Sequence, residues 1–433
     1  MRAHSEGLDR DASRARKPIR VLVSEGSSLS AREAITALGT AGCHVEVCDP
    51  NGLCLARFSR FVKRLHRCPH FASDPVGYYR FVRDLLKAGP FQVLYPAHEQ
   101  AFLFARQREA LSGLVGVPVP TFDAIEKVQG KVATVATFAA LEIPTPPSEI
   151  VHDQAELPSA VARVGLPCYV KADIGTASGG VWRVTDETSF GDALRGLISQ
   201  NAFEAGVVVQ AHAPGAFERA YAIADHGRLI AVHTVRQLLA GPRGGDIQKV
   251  SVDRPGVRAH VAQLADGLGW HGAMTLDYLH DEAGNTARFI EVNPRLAEPG
   301  NAVLSGLDLP MLLVRLALGE RLDEQPLGRI GVRTHMAIQA IVMAAAGGAS
   351  RSEILRTIAA LIQKTGRFRD SRESLTPTRI DPLSVIPAAG AVAIALFIRP
   401  TAWEWLAAKQ VSSYALTQPA AQAIREMPVL SLP

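Results

Sequence analysis

Cysteine is scarce in this 433-residue chain: Cys43, Cys48, Cys54, Cys68 and Cys168 are all there is. An odd number without paired spacing argues against a disulfide scaffold, and reduced thiols are expected. His66, Cys68 and His70 lie close together, but their i, i+2, i+4 spacing lacks the CxxC or HxxxH geometry of a zinc site. Long apolar runs are missing too: no stretch reaches the ~20 residues that span a bilayer. The nearest, Pro387 to Ile398, is followed by Arg399 and Pro400 and reads as a buried helix rather than a shallow membrane insertion, so membrane contact is not expected. Charge of one sign is also lacking. The formal net charge is only +4, too small an excess for a phosphate-neutralising surface, so nucleic acid is not an expected partner. Residues 1–17 carry mixed charges and almost no apolar residues, which excludes a secretory signal there and predicts a disordered tail and a cytoplasmic protein.

What is present suits a soluble globular protein. The chain is 47% hydrophobic and 20% charged, and long enough for two to four domains. Ile19–Val23, Val45–Cys48 and Val93–Tyr95 read as short buried strands. They alternate with helical patterns at Ala31–Ala41 and Tyr78–Ala88 and so predict a parallel α/β domain over 18–122. The turn at Glu25–Ala34 has the outline of a dinucleotide fold without the full GxGxxG, which argues against a nicotinamide site. Lys131–Leu141 reads as a helix stopped by Pro144, Pro146 and Pro147, and a small α/β unit follows over about 148–213. Residues 216–330 read as an antiparallel α+β unit, and 331–433 as a helical, Ala- and Arg-rich extension with a loop around Gly366–Pro387.

The strongest chemical signal is Phe289–Arg295. An apolar strand delivers Glu291, Asn293 and Arg295 at alternate positions, hence on one face. A carboxylate and an amide oxygen suit Mg²⁺, and a guanidinium suits a phosphate or carboxylate. Met274–Leu279 reads as a second strand and Asp281–Asn285 as the turn between them, which sets Asp277 opposite Glu291 across a hairpin. A second signal is a strand presenting Lys171 and then a loop containing Gly175, Thr176, Ser178, Gly179 and Gly180, whose amides can close over a triphosphate. No GKS or GKT follows, so this is not a P-loop.

These segments resemble the ATP-grasp superfamily. Within it they are similar to the single-domain relatives of carbamoyl phosphate synthetase, with biotin carboxylase and D-alanine–D-alanine ligase more distant. The resemblance rests on Gly130-Lys131, Val170-Lys171 with its glycine loop, Val207–Gly215, Leu276-Asp277-Tyr278, Glu291–Arg295 and Gly306–Pro310, in family order over roughly 18–320. It implies a pre-ATP-grasp domain over 18–122, a lid subdomain over 123–215 and a metal-carrying antiparallel subdomain over 216–330, with the 331–433 extension outside the match. It further implies ATP between lid and metal subdomain. Lys131 and Lys171 would lie on the α- and β-phosphates, with Gly179 and Gly180 in the phosphate loop. The hinge Gln210, Ala211, His212 and Ala213 would hold adenine, and Glu218 the ribose. Asp277, Glu291 and Asn293 would hold Mg²⁺, with Mn²⁺ as a substitute. Arg295 and Arg236 would hold the γ-phosphate and the transferred phosphoryl group. Ala211 departs from the acidic residue many relatives carry after the hinge Gln.

The expected activity is an ADP-forming ligase: a small carboxylate is activated as an acyl phosphate and attacked by an amine or similar nucleophile. The alternatives are a bicarbonate-activating or carbamoyl-phosphate-type enzyme, and a non-catalytic ATP-binding regulator. Candidate substrate contacts are His98 and Glu99, after the strand ending at Tyr95, and Arg243 in the loop Arg243–Gly245. A homodimer is the assembly the resemblance suggests.

Overall fold

The computed structural model describes residues 17–175, 179–241, 245–397 and 411–429. Near the N-terminus, four short strands form a parallel sheet: β1 (Arg20–Val23), β2 (His44–Asp49), β3 (Val62–Arg67) and β4 (Val93–Tyr95), in the order β3-β2-β1-β4. Val21, Leu22 and Val23 are completely buried, as a strand covered on both faces must be. The helix Leu29–Thr40 starts at Ser28, whose hydroxyl accepts from the Ala31 amide at 3.0 Å. Helix Pro75–Ala88 starts from Asp74 with proline in its first turn. The apolar pattern misses β3, because this edge strand carries exposed Lys63, Arg64 and Arg67. Such charges keep an open edge from pairing with another chain. The chain crosses β1 to reach β4, so the loops after β1 and β4 flank the switch point where sheets of this kind bind ligands.

The second unit is an antiparallel sheet of β5 (Ser148–Val151), β6 (Cys168–Ala172), β7 (Val181–Val184) and β8 (Val207–Ala211), ordered β5-β8-β6-β7. The helices Leu157–Val164 and Glu187–Ser199 close its core through Leu157, Ala160, Ala193 and Leu197.

The third unit is a seven-stranded sheet. Its members are β9 (Ala216–Asp225), β10 (Arg228–Ala240), β11 (Asp246–Val252), β12 (Gly272–Asp281), β13 (Thr286–Asn293), β14 (Arg333–His335) and β15 (Ser371–Glu373), in the order β13-β12-β9-β10-β11-β14-β15. One face packs Leu276, Tyr278 and Phe289 in a core with Val257, Val261 and Leu264 of helix Pro255–Gly267. On the other face, Tyr221, Ile223 and Ala273 share a core with β1 and the helices Leu29–Thr40 and Leu309–Ala317. The polar site lies on this second face.

The extension after residue 330 is not helical alone, since β14 pairs with β11 and β15 with β14. Three-residue strands carry too little period-2 pattern to be read. Around them, the helices Ala337–Ala346, Arg351–Gln363 and Val385–Phe397 build a small core with Ile247. Helix Val385–Phe397 buries Ala391 and Ala395 but exposes Val385, Ile386 and Phe397. Among the described residues no helix is long and apolar enough to cross a membrane. A buried salt bridge, Arg32 to Asp381 at 2.7 Å, ties this region to the first domain.

Candidate nucleotide and metal site

The β12–β13 hairpin aligns Asp277 with Glu291 and Thr275 with Asn293. A register shift after Asp277 pairs Tyr278 with Phe289, leaving Ile290 as the extra residue. This bulge lets Phe289 pack into the core while Glu291, two residues on, faces the site with Asp277, as bulges beside sites do. Asp277 accepts from Arg219 Nε at 3.0 Å. Arg219 Nη1 reaches Asp246 Oδ2 at 2.5 Å, and Lys249 Nζ reaches Glu298 Oε2 at 3.0 Å. Burial pushes Asp277 up to about 6, with Glu291 and Asp246 adding to the rise against the pull of Arg219. A buried carboxylate raised by a second carboxylate in register fits a divalent cation, which would take the place of that proton.

Lys171, on β6, is buried and donates to Gln210 Oε1 at 2.7 Å. Burial lowers it to about 8; the attraction of Glu291 and Asp277 opposes this, and Lys131 adds repulsion. Lys171 thus feels both carboxylates, Asp277 and Glu291, and the second lysine, Lys131. Lys131 opens helix Lys131–Ala140 after Gly130, where a Cβ would meet Asp173 Oδ1 at 2.5 Å. Asp173 holds this turn through its carbonyl to the Lys131 amide at 3.0 Å and its carboxylate to the Val132 amide at 2.9 Å. In the glycine loop, Gly180 has a positive φ of 79° and its carbonyl accepts from the Ala172 amide at 2.8 Å. Thr176 and Ser178 lie outside the described residues.

At the hinge, Gln210 is buried on β8. The amides of Ala211 and His212 bond the carbonyls of Pro147 (2.8 Å) and Pro167 (3.2 Å). The Ala213 amide has no partner among the described residues.

Arg295, just past β13, pairs through Nη1 with Glu99 Oε1 at 2.9 Å, and Gln129 also donates to Glu99. Glu99 heads the helix Gln100–Arg106 without capping it, so its side chain serves the domain junction. His98 is buried, and its ring meets that of Tyr414, centroids 4.1 Å apart.

Two expected residues are not brought to this face. Arg236 and Glu218 are directly paired across β10 and β9, one residue out of step with Val235 and Arg219. Alternate strand residues point to opposite faces, so both turn away from Asp277. Glu218 accepts from Arg236 Nε (2.9 Å), Arg254 Nε (2.9 Å) and the Tyr278 hydroxyl (3.0 Å). Burial works to raise its pKa, but these hydrogen bonds outweigh it and hold the carboxylate below its usual range. Glu218 is thus a saturated ion-pair centre with no free edge for a ribose, and Arg236 is committed to it. Arg219 and Lys249 stand on the site face instead. Strand alternation would have found Arg219, had Asp277 been aligned with β9. Arg243 lies outside the described residues.

This arrangement can be set beside known proteins. Residues 250–325 match the family model for the carbamoyl-phosphate synthase L chain, ATP binding domain. Acetyl-CoA carboxylase of Schizosaccharomyces pombe is 26% identical over 198 residues, which are 40% of this chain and 8% of that protein. The chain therefore spans less than a tenth of the length of that relative. Among solved structures, the biotin carboxylase domain dimer of Hydrogenobacter thermophilus 2-oxoglutarate carboxylase, in complex with MgADP, ADP and bicarbonate, superposes with a TM-score of 0.59 at 18% identity. The match covers 72% of this chain and 73% of that one. L-amino acid ligase from Bacillus licheniformis gives 0.53 at 19% identity, covering 70% and 74%. The chain has the ATP-grasp fold.

Proposed function

We propose that this chain is an ADP-forming ligase that activates a small carboxylate with Mg-ATP and transfers its acyl group to an amine. One observation carries the reading: Asp277 and Glu291 lie in register on one sheet face, and the buried Lys171 of the lid lies within their field. That is the charge pattern a triphosphate and its cation require. Asp277, Glu291 and Asn293 would hold Mg²⁺, which would neutralise charge on the β- and γ-phosphates. Lys131 and Lys171 would bind phosphate oxygens, and the Ala213 amide the adenine edge. Arg295, steadied by Glu99, would hold the γ-phosphate or the substrate carboxylate, and Arg219 would orient Asp277. A substrate carboxylate oxygen attacks the γ-phosphorus as the bond to the ADP oxygen breaks. The amine nitrogen then attacks the acyl carbon, phosphate leaves and the nitrogen loses a proton. Positioning and charge stabilisation dominate, and the closed lid excludes water from the acyl phosphate.

The test is ADP and phosphate release with Mg-ATP against pooled amino acids and small carboxylic acids. Release that depends on one pool supports the reading. Tight Mg-ATP binding by calorimetry with no response to any pool refutes it in favour of a regulatory ATP-binding protein. Bicarbonate as the activated carboxylate is the second reading, favoured by the bicarbonate in the H. thermophilus complex. That domain is also a dimer, and a second copy of this chain is the proposed partner, to be checked by sedimentation.

A further inference from the structure

The ligase reading names no residue for the amine, and the last described segment supplies one. Residues 411–429 are fastened to the first domain. Ala421 and Ile424 of helix Gln418–Glu426 share a core with Phe102 and Phe104. Arg425 Nε pairs with Glu126 at 2.7 Å, Arg106 Nη2 donates to the Met427 carbonyl at 2.9 Å, and Gln107 Nε2 to the Pro428 carbonyl at 2.9 Å. This clamp sets Tyr414 over His98 at the end of β4. The Ser24 amide donates to the Tyr95 carbonyl at 3.1 Å and the Ser24 hydroxyl accepts from the Ala97 amide at 2.9 Å, so the turn that carries Glu25 lies beside the end of β4 that carries His98. The residue before Tyr414, Ser413, lines an open pocket of about 340 Å³ with Asn51, Arg67 and His70, beside the ends of β2 and β3.

The charges there do not balance. Arg295 is matched by Glu99 and Lys249 by Glu298. Glu25, buried just past β1, has no cationic partner among the described residues; burial, with Asp49 adding to it, pushes the group up to about 7, and a cation beside it would draw it back to the carboxylate. Its Oε2 accepts from the amides of Ser27 (2.7 Å) and Ser28 (2.9 Å), and its Oε1 only from the Ser28 hydroxyl, which leaves lone-pair capacity. His98 is more than nine-tenths buried and its Nδ1 has no hydrogen-bond partner. A spare carboxylate, an orphaned ring nitrogen and an aromatic face together are what an ammonium group needs: a counter-charge, an acceptor and a π surface.

We propose that Glu25, His98 and Tyr414 form the subsite for the amino group of the amine-bearing substrate, with the C-terminal segment as its outer wall. This rests on the ligase reading. In the panel assay, with each member titrated singly, wild type and Tyr414→Ala are compared with Tyr414→Phe and Glu25→Gln, after thermal melting shows that each variant folds. For amine-bearing members, Tyr414→Ala and Glu25→Gln are expected to raise the concentration for half-maximal ADP release roughly tenfold. Tyr414→Phe, which keeps the ring face, should stay near wild type, and Mg-ATP affinity by calorimetry should be unchanged in all three. If the wild type responds and Tyr414→Ala and Glu25→Gln keep its profile, the subsite assignment is overturned and the ligase reading stands. A wild type stimulated only by acids without an amine anywhere in the reaction also overturns it. If no member stimulates the wild type, the ligase reading falls and the subsite with it.

Discussion

Asp381→Ala should loosen the whole first domain, although the residue lies far from it in sequence. Asp381 and Arg32 are both completely buried, and the carboxylate takes Arg32 Nη2 at 2.7 Å, the Ser59 hydroxyl at 2.6 Å and the Arg60 amide at 3.0 Å. Arg32 bonds Thr36 and Ser384 besides, so its guanidinium is held where it is and cannot swing out to water. Burial already disfavours the charged guanidinium, and Asp381 offsets this more than any other group. Removing the carboxylate strands a buried cation, at a cost of about 3–5 kcal/mol. In a cooperative unit of 150–250 residues that is about 6–20 °C in Tm. The double variant Arg32→Met, Asp381→Ala removes both charges and should regain most of the loss. Scanning calorimetry reads both. A drop of under a degree for the single variant, as for an exposed pair, would refute the buried-pair reasoning.

The site yields three more expectations. Glu291→Gln and Lys171→Ala should each abolish ATP turnover with the circular dichroism and melting profile of a folded chain; full ATP consumption by either would overturn the site assignment. Arg236→Ala should leave Mg-ATP affinity unchanged, because the side chain lies on the opposite sheet face, but lower Tm by withdrawing a donor from Glu218; lost affinity in a folded protein would contradict that geometry. Burial holds Lys171 at about 8, so the ammonium is charged at pH 7 and is lost as pH climbs through that value. Mg-ATP affinity should then fall by up to about tenfold per pH unit above 8, and Lys171→Arg should flatten the profile. A wild-type affinity that does not change over this range would exclude Lys171 as a phosphate ligand. For folding the sign is opposite: the native state binds fewer protons at Lys171 between about 8 and 10.5, so this group's contribution to stability rises with pH there.

The sequence showed that Glu291 and Asn293 share a sheet face because one strand repeats its chemistry at every second position, and alternation is geometry that a chain carries within itself. Glu291 opposite Asp277 could be read because the turn between the two strands is short. Arg236 and Glu218 could not be placed, since which of two adjacent residues faces the site depends on the register of β9 against β12, a pairing across the intervening strands and helix. Lys249 was hidden for the same reason: it reaches Glu298 through tertiary packing. The first domain was legible in β1, β2 and β4, whose apolar runs are continuous, and not in β3, whose outward charges erase the pattern. Tyr414 carried no local signal, because its role comes only from where helix Gln418–Glu426 is anchored.

The late strands β14 and β15 have a consequence for how the protein is made. β11 carries Lys249 into the site, yet its outer neighbour is not synthesised until Arg333–His335, and the next not until Ser371–Glu373. A nascent chain must wait with β11 as a raw edge. The sheet that carries Asp277 and Glu291 is therefore completed only near the end of translation. A transcript cut short after residue 330 would yield a protein whose large sheet seeks its missing strands in neighbouring molecules.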